Sequence, residues 1–362
     1  MWSRSDQSCV HVWLRKAQPA FSGSRGQCRG KLLRMTTMFD DSRLDDPAAL
    51  DAHREEIEWL ALTGARVRRD AASADFTVLD RFAATRPRAV IAVGPEGRLI
   101  RAVVEPTCPV PFVAWPAGGL PGWVGPLDLV IALDGDPVPV TAAMRRGALV
   151  VAVCPDDSQL FDRAAGSSVE LIPTTSDDPF VAAVIALSAL ERFGLGPSVR
   201  PAEVADGLDA VAADCGPCVD LGANPAKAVA CALAETVPLL WGGTTLSARA
   251  SRRIAEAIRR VTGAPALAAD APALLPVLAG ARRRDLFADP DDVEGLVSLV
   301  ILDDDGADPL LADQQRTLRQ VAESRGVPTP TITYDRGGLV ERYACLLLQG
   351  LYAAAYVGVA SV

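Results

Sequence analysis

The sequence has 362 residues, enough for two α/β domains of ordinary size, each with its own core. Asp and Glu number 45 against 36 Lys and Arg, and the formal net charge of −9 excludes a protein covered by a nucleic-acid-binding surface. Hydrophobic residues make up 49% but aromatic residues only 5%, which favours helices packed on parallel strands over an aromatic-rich sandwich.

The first 34 residues differ in charge from the rest of the chain. They contain seven Lys or Arg and one acid, Asp6, which is a balance of +6. No continuous apolar run separates the basic residues, so the segment is not typical of a secretory signal. We expect residues 1–38 to be a disordered extension or a misassigned start. The eight cysteines, with no such signal, predict reduced thiols in a cytoplasmic protein.

An N-terminal helical segment is predicted over residues 39–87, followed by a first α/β unit over 88–196. Asp46-Pro47 begins one amphipathic helix, which is expected to end near Gly64. Five apolar runs without polar alternation then indicate strands buried on both faces of a parallel sheet. These runs are residues 89–94, 111–115, 127–133, 148–154 and 169–173. Crossover helices are predicted at 138–146, 156–165 and 180–193.

A second α/β unit is predicted over residues 197–336. Its helices are expected at 202–213, 225–235, 248–261 and 311–325, and its strands at 238–241, 266–269, 296–302 and 331–334. The repeated strand-then-helix order predicts two doubly wound units that meet at a cleft. The last segment, 337–362, reads as an apolar helix that contains Glu341-Arg342. We therefore interpret it as a buried helix at a dimer interface rather than a membrane span.

Three loops follow predicted strands and precede helices, where α/β folds bind phosphates. They contain Gly94, Gly97 and Arg98; Thr174, Thr175 and Ser176; and Thr244 and Thr245. Each loop reads equally as an ordinary turn or a helix N-cap. The arginine runs 252–253, 259–260 and 282–284 are interpreted as solvated faces paired with acids.

Two further motifs are set aside on their context. Cys215-Gly-Pro-Cys218 spells the thioredoxin tetrapeptide, but a predicted helix precedes it and no helix N-terminus follows directly, so we interpret it as a turn. The two histidines, His11 and His53, lie in the leader and on the first helix, and they provide no catalytic triad or metal cluster. No metal or cofactor is predicted.

Four stretches resemble the bifunctional phosphoglucose/phosphomannose isomerase family, whose members carry two SIS (sugar isomerase) domains. The resemblance is to its divergent actinobacterial branch, labelled TobH-like. It is carried by Phe39-Asp-Asp-Ser-Arg-Leu-Asp-Asp-Pro47, Leu120-Pro-Gly-Trp-Val-Gly-Pro-Leu-Asp-Leu129, Asn224-Pro-Ala-Lys227 and Val237-Pro-Leu-Leu-Trp-Gly-Gly243. The resemblance implies two SIS domains, a sugar-phosphate ligand, and weak ligand-binding roles for Gly135, Asn224 and Lys227 beside the loop residues named above.

The catalytic motifs of that family are not reproduced. The family's Gly-x-Gly-Gly-Ser loop is matched by Gly94 and Gly97 with Arg98 in place of the serine, and its Ser-Gly-Asn-Thr phosphate loop reads Asp134-Gly-Asp-Pro137. The Gln-Pro-Arg motif becomes Asp178-Pro-Phe180. The segment that supplies the glutamate base and ring-opening histidine aligns with residues 270–276, which contain neither. The C-terminal lysine has no counterpart after Arg342.

The sequence therefore predicts a cytoplasmic, homodimeric protein that binds a carbohydrate derivative and has lost or reduced isomerase activity, without nucleic-acid or membrane partners. One alternative is an active isomerase of glucose 6-phosphate or mannose 6-phosphate with relocated groups at Glu96, Arg98 and Lys227. Another is an interaction scaffold that binds no sugar.

Overall fold

The computed structural model describes residues 38–82, 86–116, 118–282, 296–306 and 308–362. Within these residues the chain forms nine strands in two parallel sheets and thirteen α-helices. The predicted α/β class with two doubly wound parallel sheets is confirmed. The predicted leader and the end of the 282–284 arginine run lie outside the described residues.

The first sheet has the order β2-β1-β3-β4-β5 and its strand pairs are all parallel. Its strands are β1 (Val90–Val93), β2 (Phe112–Trp115), β3 (Leu129–Leu133), β4 (Leu149–Pro155) and β5 (Glu170–Thr174). The associated helices are α4 (Gly97–Val104), α5 (Val138–Arg145), α6 (Gln159–Ala164) and α7 (Pro179–Arg192). Each strand overlaps one of the five predicted apolar runs. We call this part the first unit.

The second sheet has the order β7-β6-β8-β9, again all parallel. Its strands are β6 (Val237–Gly242), β7 (Leu267–Ala268), β8 (Val297–Asp303) and β9 (Thr331–Thr333). The helices around it are α9 (Pro225–Leu233), α10 (Thr245–Thr262), α11 (Ala271–Ala279) and α12 (Pro309–Arg325). We call this part the second unit. Helix α11 has no counterpart among the predicted helices.

One hydrophobic core joins the inner faces of both sheets. Alternate residues of β1 show how a strand buried on both faces divides: Val90 and Ala92 face this shared core, whereas Ile91 and Val93 face a separate cluster under α5 and α6. In the second unit, the outer face of the sheet packs in the same way against α11 and α12.

Helix α13 (Leu339–Ala360) lies in the middle of the shared core, in contact with α8 (Pro201–Cys215), α9 and α10. Of its most apolar 18-residue stretch, 83% is buried inside the chain. The helix is therefore buried within one chain, and its apolar surface does not require the predicted dimer interface. Dimerisation remains a prediction.

The N-terminal helical segment differs from the single helix predicted. It forms α1 (Pro47–Ala52), α2 (Arg54–Ala61) and α3 (Thr63–Ser73), and Gly64 lies inside α3 instead of ending a helix. A Cβ at Gly64 would stand 2.7 Å from the carbonyl oxygen of Ala205 on α8. The expected helix end was wrong because this glycine serves the close packing of two helices.

Candidate functional site

The carboxyl ends of β1 and β3 form a topological switch point in the first unit. Helix α4, after β1, packs on the inner face of the sheet, whereas α5, after β3, packs on the outer face. Because the two loops diverge to opposite faces, they leave a crevice, and open α/β sheets bind ligands at such a crevice. We call the two loops, residues 94–96 and 134–137, the switch-point loops.

Two predicted ligand-binding glycines lie in these loops and differ in their surroundings. Gly94 has φ +105°, and a Cβ there would lie 2.2 Å from the carbonyl oxygen of Leu133 on β3. Gly135 has φ +116°, but its nearest neighbour would be Cδ of Pro95 at 3.9 Å. Gly94 is thus required by backbone packing between strands, while Gly135 lies on the open side of the crevice.

Carboxylates replace phosphate-binding hydroxyls at this crevice. Asp134 and Asp136 flank Gly135, and both are half-buried. Oδ1 of Asp136 accepts a hydrogen bond from the backbone N–H of Val138, the first residue of α5, at 2.9 Å. A phosphate within about 4 Å of a carboxylate is repelled by about 1 to 4 kcal/mol per pair of unit charges. The loop after β3 therefore disfavours a phosphate dianion.

Glu96, at the end of the first switch-point loop, forms ion pairs with the second unit. Nη2 of Arg249 on α10 donates a hydrogen bond to Oε2 of Glu96, and Nη2 of Arg253 lies 3.4 Å from Oε1. The Glu96 side chain is 6% exposed, so the carboxylate depends on these cations rather than on water. Tyr343 of α13 adjoins the same group and interacts with Arg249. We call Glu96, Arg249, Arg253 and Tyr343 the seam cluster.

Phe180 stands next to the seam cluster, where the family resemblance places an arginine. Its ring centroid is 6.3 Å from that of Tyr343. Burial, followed by the negative charge of Glu96, raises the pKa of Tyr343 above its ordinary value of 10.0. The tyrosine therefore keeps its proton and acts as a neutral hydroxyl. An aromatic contact is thus formed by the residue that the resemblance aligns with that arginine.

The loop after β5 binds a carboxylate of the chain itself. Asp70 on α3 is fully buried, and its carboxylate accepts hydrogen bonds from the N–H groups of Thr175 at 3.3 Å and Ser176 at 3.1 Å and from the Thr175 hydroxyl. The Thr174 hydroxyl donates to the carbonyl of Ser176 at 3.0 Å. Helix α7 is capped by Asp178. The hydrogen-bond donors that were predicted to bind a ligand therefore bind groups of the protein itself.

In the second unit, the loop after β6 is a helix cap. The hydroxyl of Thr244 accepts from the N–H of Ser247 at 3.1 Å, and the Ser247 hydroxyl accepts in return from the N–H of Thr244 at 2.9 Å. The Thr244 hydroxyl also donates to Asp304 in the loop after β8. Thr245 is exposed at the first position of α10. Of the two readings of this loop, the structure shows the N-cap.

Asn224 and Lys227 hold a turn instead of facing either switch point. The Asn224 side chain caps α9 and donates to the carbonyl of Gly216 at 3.0 Å. The buried Lys227 ammonium donates to Asp45 at 2.7 Å and to the carbonyls of Pro217 at 3.1 Å and Val219 at 2.8 Å. All three ammonium protons thus have acceptors within the protein. The Asn-Pro-Ala-Lys stretch has a structural explanation.

That turn contains the Cys-Gly-Pro-Cys sequence. Cys215 is the last residue of α8, and its carbonyl accepts from the Tyr356 hydroxyl at 2.6 Å. Burial raises the pKa of Cys215 to about 12, so its thiol is a poor nucleophile, and Cys218 is exposed in the turn. The structure agrees with the interpretation as a turn.

The groups required by the relocated-isomerase alternative are not brought together in one chain. Lys227 lies 5.4 Å from the ring of Tyr356, which is about 20 Å further along α13 than Tyr343, at 1.5 Å per residue. His53 contacts the region of Gly358, about 22 Å along α13 from Tyr343. Arg98 is exposed on α4. Among the three groups, Glu96 alone lies in the seam cluster.

Two cavities lie away from the predicted site residues. One of 740 Å³ is lined by α3, α7 and the start of α8, with Arg68, Phe76 and Arg192 among its lining residues. The other, of 220 Å³, lies between residues 197–204 and the start of α13. Neither is at a strand end. We base the site on the switch-point loops, because parallel-sheet ligands bind there and because the seam cluster adjoins them.

Sequence reasoning missed Asp70, Arg249 and Tyr343. The i, i+4 spacing of Arg249 and Arg253 places both on one face of a helix, and this signal could have identified the pair. Their partner, Glu96, is 153 residues from Arg249, and no local pattern indicates such a contact. Arg253 agrees with the expectation of a solvated face paired with acids, because its side chain is 42% exposed and contacts Glu96 and Glu256.

The two doubly wound parallel units and the C-terminal helix agree with the double-SIS arrangement that the resemblance implies. Residues 222–361 match the family model described as the bacterial phospho-glucose isomerase C-terminal SIS domain. This match confirms the resemblance at the level of the second SIS domain. No curated protein matches the sequence.

Several solved structures share the fold. A glucose-6-phosphate isomerase like protein from Thermus thermophilus is 18% identical, with a TM-score of 0.53 over 87% of this chain and 92% of its own. Tagatose-6-phosphate ketose/aldose isomerase from Escherichia coli is 12% identical, with a TM-score of 0.58 over 85% and 92%. The C-terminal domain of glucosamine-fructose-6-phosphate aminotransferase from Francisella tularensis is 12% identical, with a TM-score of 0.59 over 84% and 95%. At these identities the likeness concerns the fold.

Proposed function

We propose that this chain is a sugar-phosphate-binding protein of the phosphosugar isomerase type in which aldose–ketose isomerase activity is lost or greatly reduced. The finer assignment, to the TobH-like branch of the bifunctional phosphoglucose/phosphomannose isomerases, rests on the four sequence stretches. A cytoplasmic homodimer that senses a precursor of sugar-nucleotide or cell-envelope metabolism, or binds a partner enzyme there, is the role we infer. The SIS match over residues 222–361 supports a carbohydrate ligand.

One observation carries the proposal: the groups beside the first switch point are engaged with one another. Isomerisation needs a carboxylate that is free to move a proton between adjacent carbons, a ring-opening acid or base, and a cation near the enediolate oxygen. Glu96 is held by two arginines, Phe180 stands at the cation's place, and His53 is remote. The crevice is retained, but Glu96 is paired with two arginines in this structure. Asp134 and Asp136, the other carboxylates there, would repel the phosphate of the substrate.

The first test is a coupled assay that follows conversion of fructose 6-phosphate to glucose 6-phosphate and to mannose 6-phosphate. We expect turnover at least a thousandfold below an ordinary enzymatic kcat of about 10 per second. Turnover near that ordinary value would contradict the proposal and favour the active isomerase. In that event Glu96→Gln should abolish the rate if Glu96 is the base, and an unaffected rate would remove it from that role.

The second test separates a sugar binder from a scaffold. Thermal unfolding is followed with hexose phosphates, amino-sugar phosphates and sugar nucleotides, with unphosphorylated glucose as the control. A ligand that binds only the folded state must raise its stability, by about 2.7 kcal/mol at a hundred times Kd. We expect at least one phosphorylated sugar to raise the Tm. A flat screen would favour the scaffold.

A further inference from the structure

Glu96 occupies a helix N-cap position without capping the helix. It precedes α4, yet its side chain makes no hydrogen bond to the N–H groups of that helix. A carboxylate near a helix N-terminus interacts favourably with the helix dipole, but Glu is not among the short side chains that ordinarily accept hydrogen bonds from the first turn. Instead, the Glu96 carboxylate points away to Arg249 and Arg253 of the other unit. The two arginines of the second unit therefore bind an anion supplied by the first unit.

The contact leaves Arg249 only partly satisfied. Nη2 of Arg249 donates to a single oxygen of Glu96, and Nε, which is buried, has no hydrogen-bond partner among the residues that the structure describes. A guanidinium group prefers a two-oxygen acceptor, and leaving a buried donor unpaired costs free energy. A group with three acceptor oxygens, such as a phosphomonoester, fits this donor set better than the one carboxylate that now fills it.

The cluster also offers a route of entry and a neutral donor. The Arg253 side chain is 42% exposed, whereas that of Arg249 is 15% exposed, so an anion from solvent meets Arg253 first. Tyr343 is buried, and its hydroxyl interacts with Arg249. Two guanidinium groups and a hydroxyl therefore converge from α10 and α13 at the edge of the first switch point.

We propose that Arg249, Arg253 and the Tyr343 hydroxyl form a phosphomonoester site, and that Glu96 is its built-in occupant, which leaves when the phosphate binds. This inference rests on the proposed function, because it assigns the phosphate of the sugar ligand to the second unit. It also explains how a sugar phosphate can bind although Asp134 and Asp136, in the loop after β3, repel a phosphate, because the phosphate binds at a different place. Exchange of Glu96 for a ligand frees the first switch-point loop from α10.

The test measures the affinity of the full chain for inorganic phosphate, fructose 6-phosphate and unphosphorylated fructose by isothermal titration calorimetry. Glu96→Gln keeps the shape of the side chain but removes its charge, and we expect it to tighten phosphate binding at least tenfold. Arg253→Gln should weaken binding at least fivefold, in the wild-type and Glu96→Gln backgrounds alike. Arg252→Gln removes the same charge from an exposed neighbour on α10 and is the matched control. We expect less than a twofold change for it.

The outcomes separate this inference from the proposed function. If Glu96→Gln binds phosphate no more tightly than wild type, or if Arg252→Gln weakens binding as much as Arg253→Gln, the site is overturned, although the wild type can still bind a hexose phosphate elsewhere. A gain for inorganic phosphate with no binding of fructose 6-phosphate supports the anion site and contradicts the sugar-binding function. Should Glu96→Gln not fold, the phosphate affinities of Arg253→Gln and Arg252→Gln decide whether the site exists, because Arg249 keeps Glu96 in place in both variants.

Discussion

The helix that follows the first strand of each sheet begins differently in the two units. In the second unit, Thr244 caps α10 with its own hydroxyl and also bonds Asp304 in the neighbouring loop. In the first unit, Glu96 holds the equivalent position before α4, leaves that helix uncapped, and bonds α10 instead. The N-cap residue therefore bonds within its own unit in the second unit, whereas in the first unit it bonds to a helix of the other unit.

Further contacts strengthen this contrast. The loop after β8 receives hydrogen bonds from Gln315 to Asp303 at 3.0 Å and from Arg342 to the carbonyl of Asp304 at 3.0 Å. The first-unit loops leave more room, since a Cβ added at Gly135 would lie 3.9 Å from Cδ of Pro95. The polar groups at the strand ends of the second unit therefore hydrogen-bond within the protein, whereas the switch-point loops of the first unit leave an open crevice.

The largest expected effect tests how the first switch-point loops are held. Gly94→Ala should destabilise the protein by roughly 4 kcal/mol, because a Cβ would meet the Leu133 carbonyl oxygen at 2.2 Å in a backbone with φ +105°. Gly135→Ala has a similar φ but open space, and should cost about 1 to 2 kcal/mol. Urea unfolding measures both. Equal losses would show that the loops are not held by this backbone contact.

Lys227 tests whether the polar groups of the second unit serve its fold. Lys227→Met removes a buried ammonium and leaves Asp45 and two carbonyl groups without their donor, so a loss of about 3 kcal/mol is expected. Arg98→Gln removes a cation from an exposed site of the first unit and should change stability by less than about 0.5 kcal/mol. A small loss for Lys227→Met in urea unfolding would reopen a ligand role for this lysine.

The cap of α10 gives a smaller effect. Thr244→Val keeps the shape of the side chain but removes its acceptor for Ser247 and its donor to Asp304, for which we expect a loss of about 2 kcal/mol. Thr245→Val, at the next and exposed position, should cost less than about 0.5 kcal/mol. Thermal and urea unfolding of the pair compare them directly. If both changes cost the same, the second switch point is not closed by this hydroxyl.

Most of the fold could be predicted from the sequence, because buried parallel strands and capped helices leave local patterns. The run at 129–133, for example, is apolar on both faces and lies in the centre of the sheet, between β1 and β4. The prediction for Gly64 was wrong because glycine both ends helices and permits their close approach. The residue that it packs against, Ala205, is far away in the sequence, so the local pattern could not distinguish the two roles.

The candidate site was less predictable, since its chemistry depends on contacts between distant segments. The Thr175 hydroxyl and the backbone N–H groups of Thr175 and Ser176 do suit an anion, as the loop pattern indicated. Yet the anion found there is Asp70, from a helix 105 residues earlier. The acidic character of the loop at Asp134 and Asp136 could be predicted from the sequence, because the local sequence alone determines which side chains a tight loop carries. The seam cluster could be identified only from the structure, because its residues come from distant segments of the chain.

The pairing of Asp45 with Lys227 gives the smallest expected effect and extends the contrast to the N-terminal segment. The hydrogen bond from Lys227, followed by that from the N–H of Leu221, holds the pKa of Asp45 below its ordinary value of 3.8. A carboxyl whose folded pKa is lowered stabilises the protein above its unfolded pKa, and this contribution is lost as pH falls through the folded value. The Asp45 side chain is 45% exposed, so solvent screening keeps the effect small. Urea midpoints between pH 5 and pH 3 should therefore fall slightly less steeply for Asp45→Asn than for wild type. An Asp45→Asn slope equal to that of wild type would mean that the pair does not anchor the N-terminal segment.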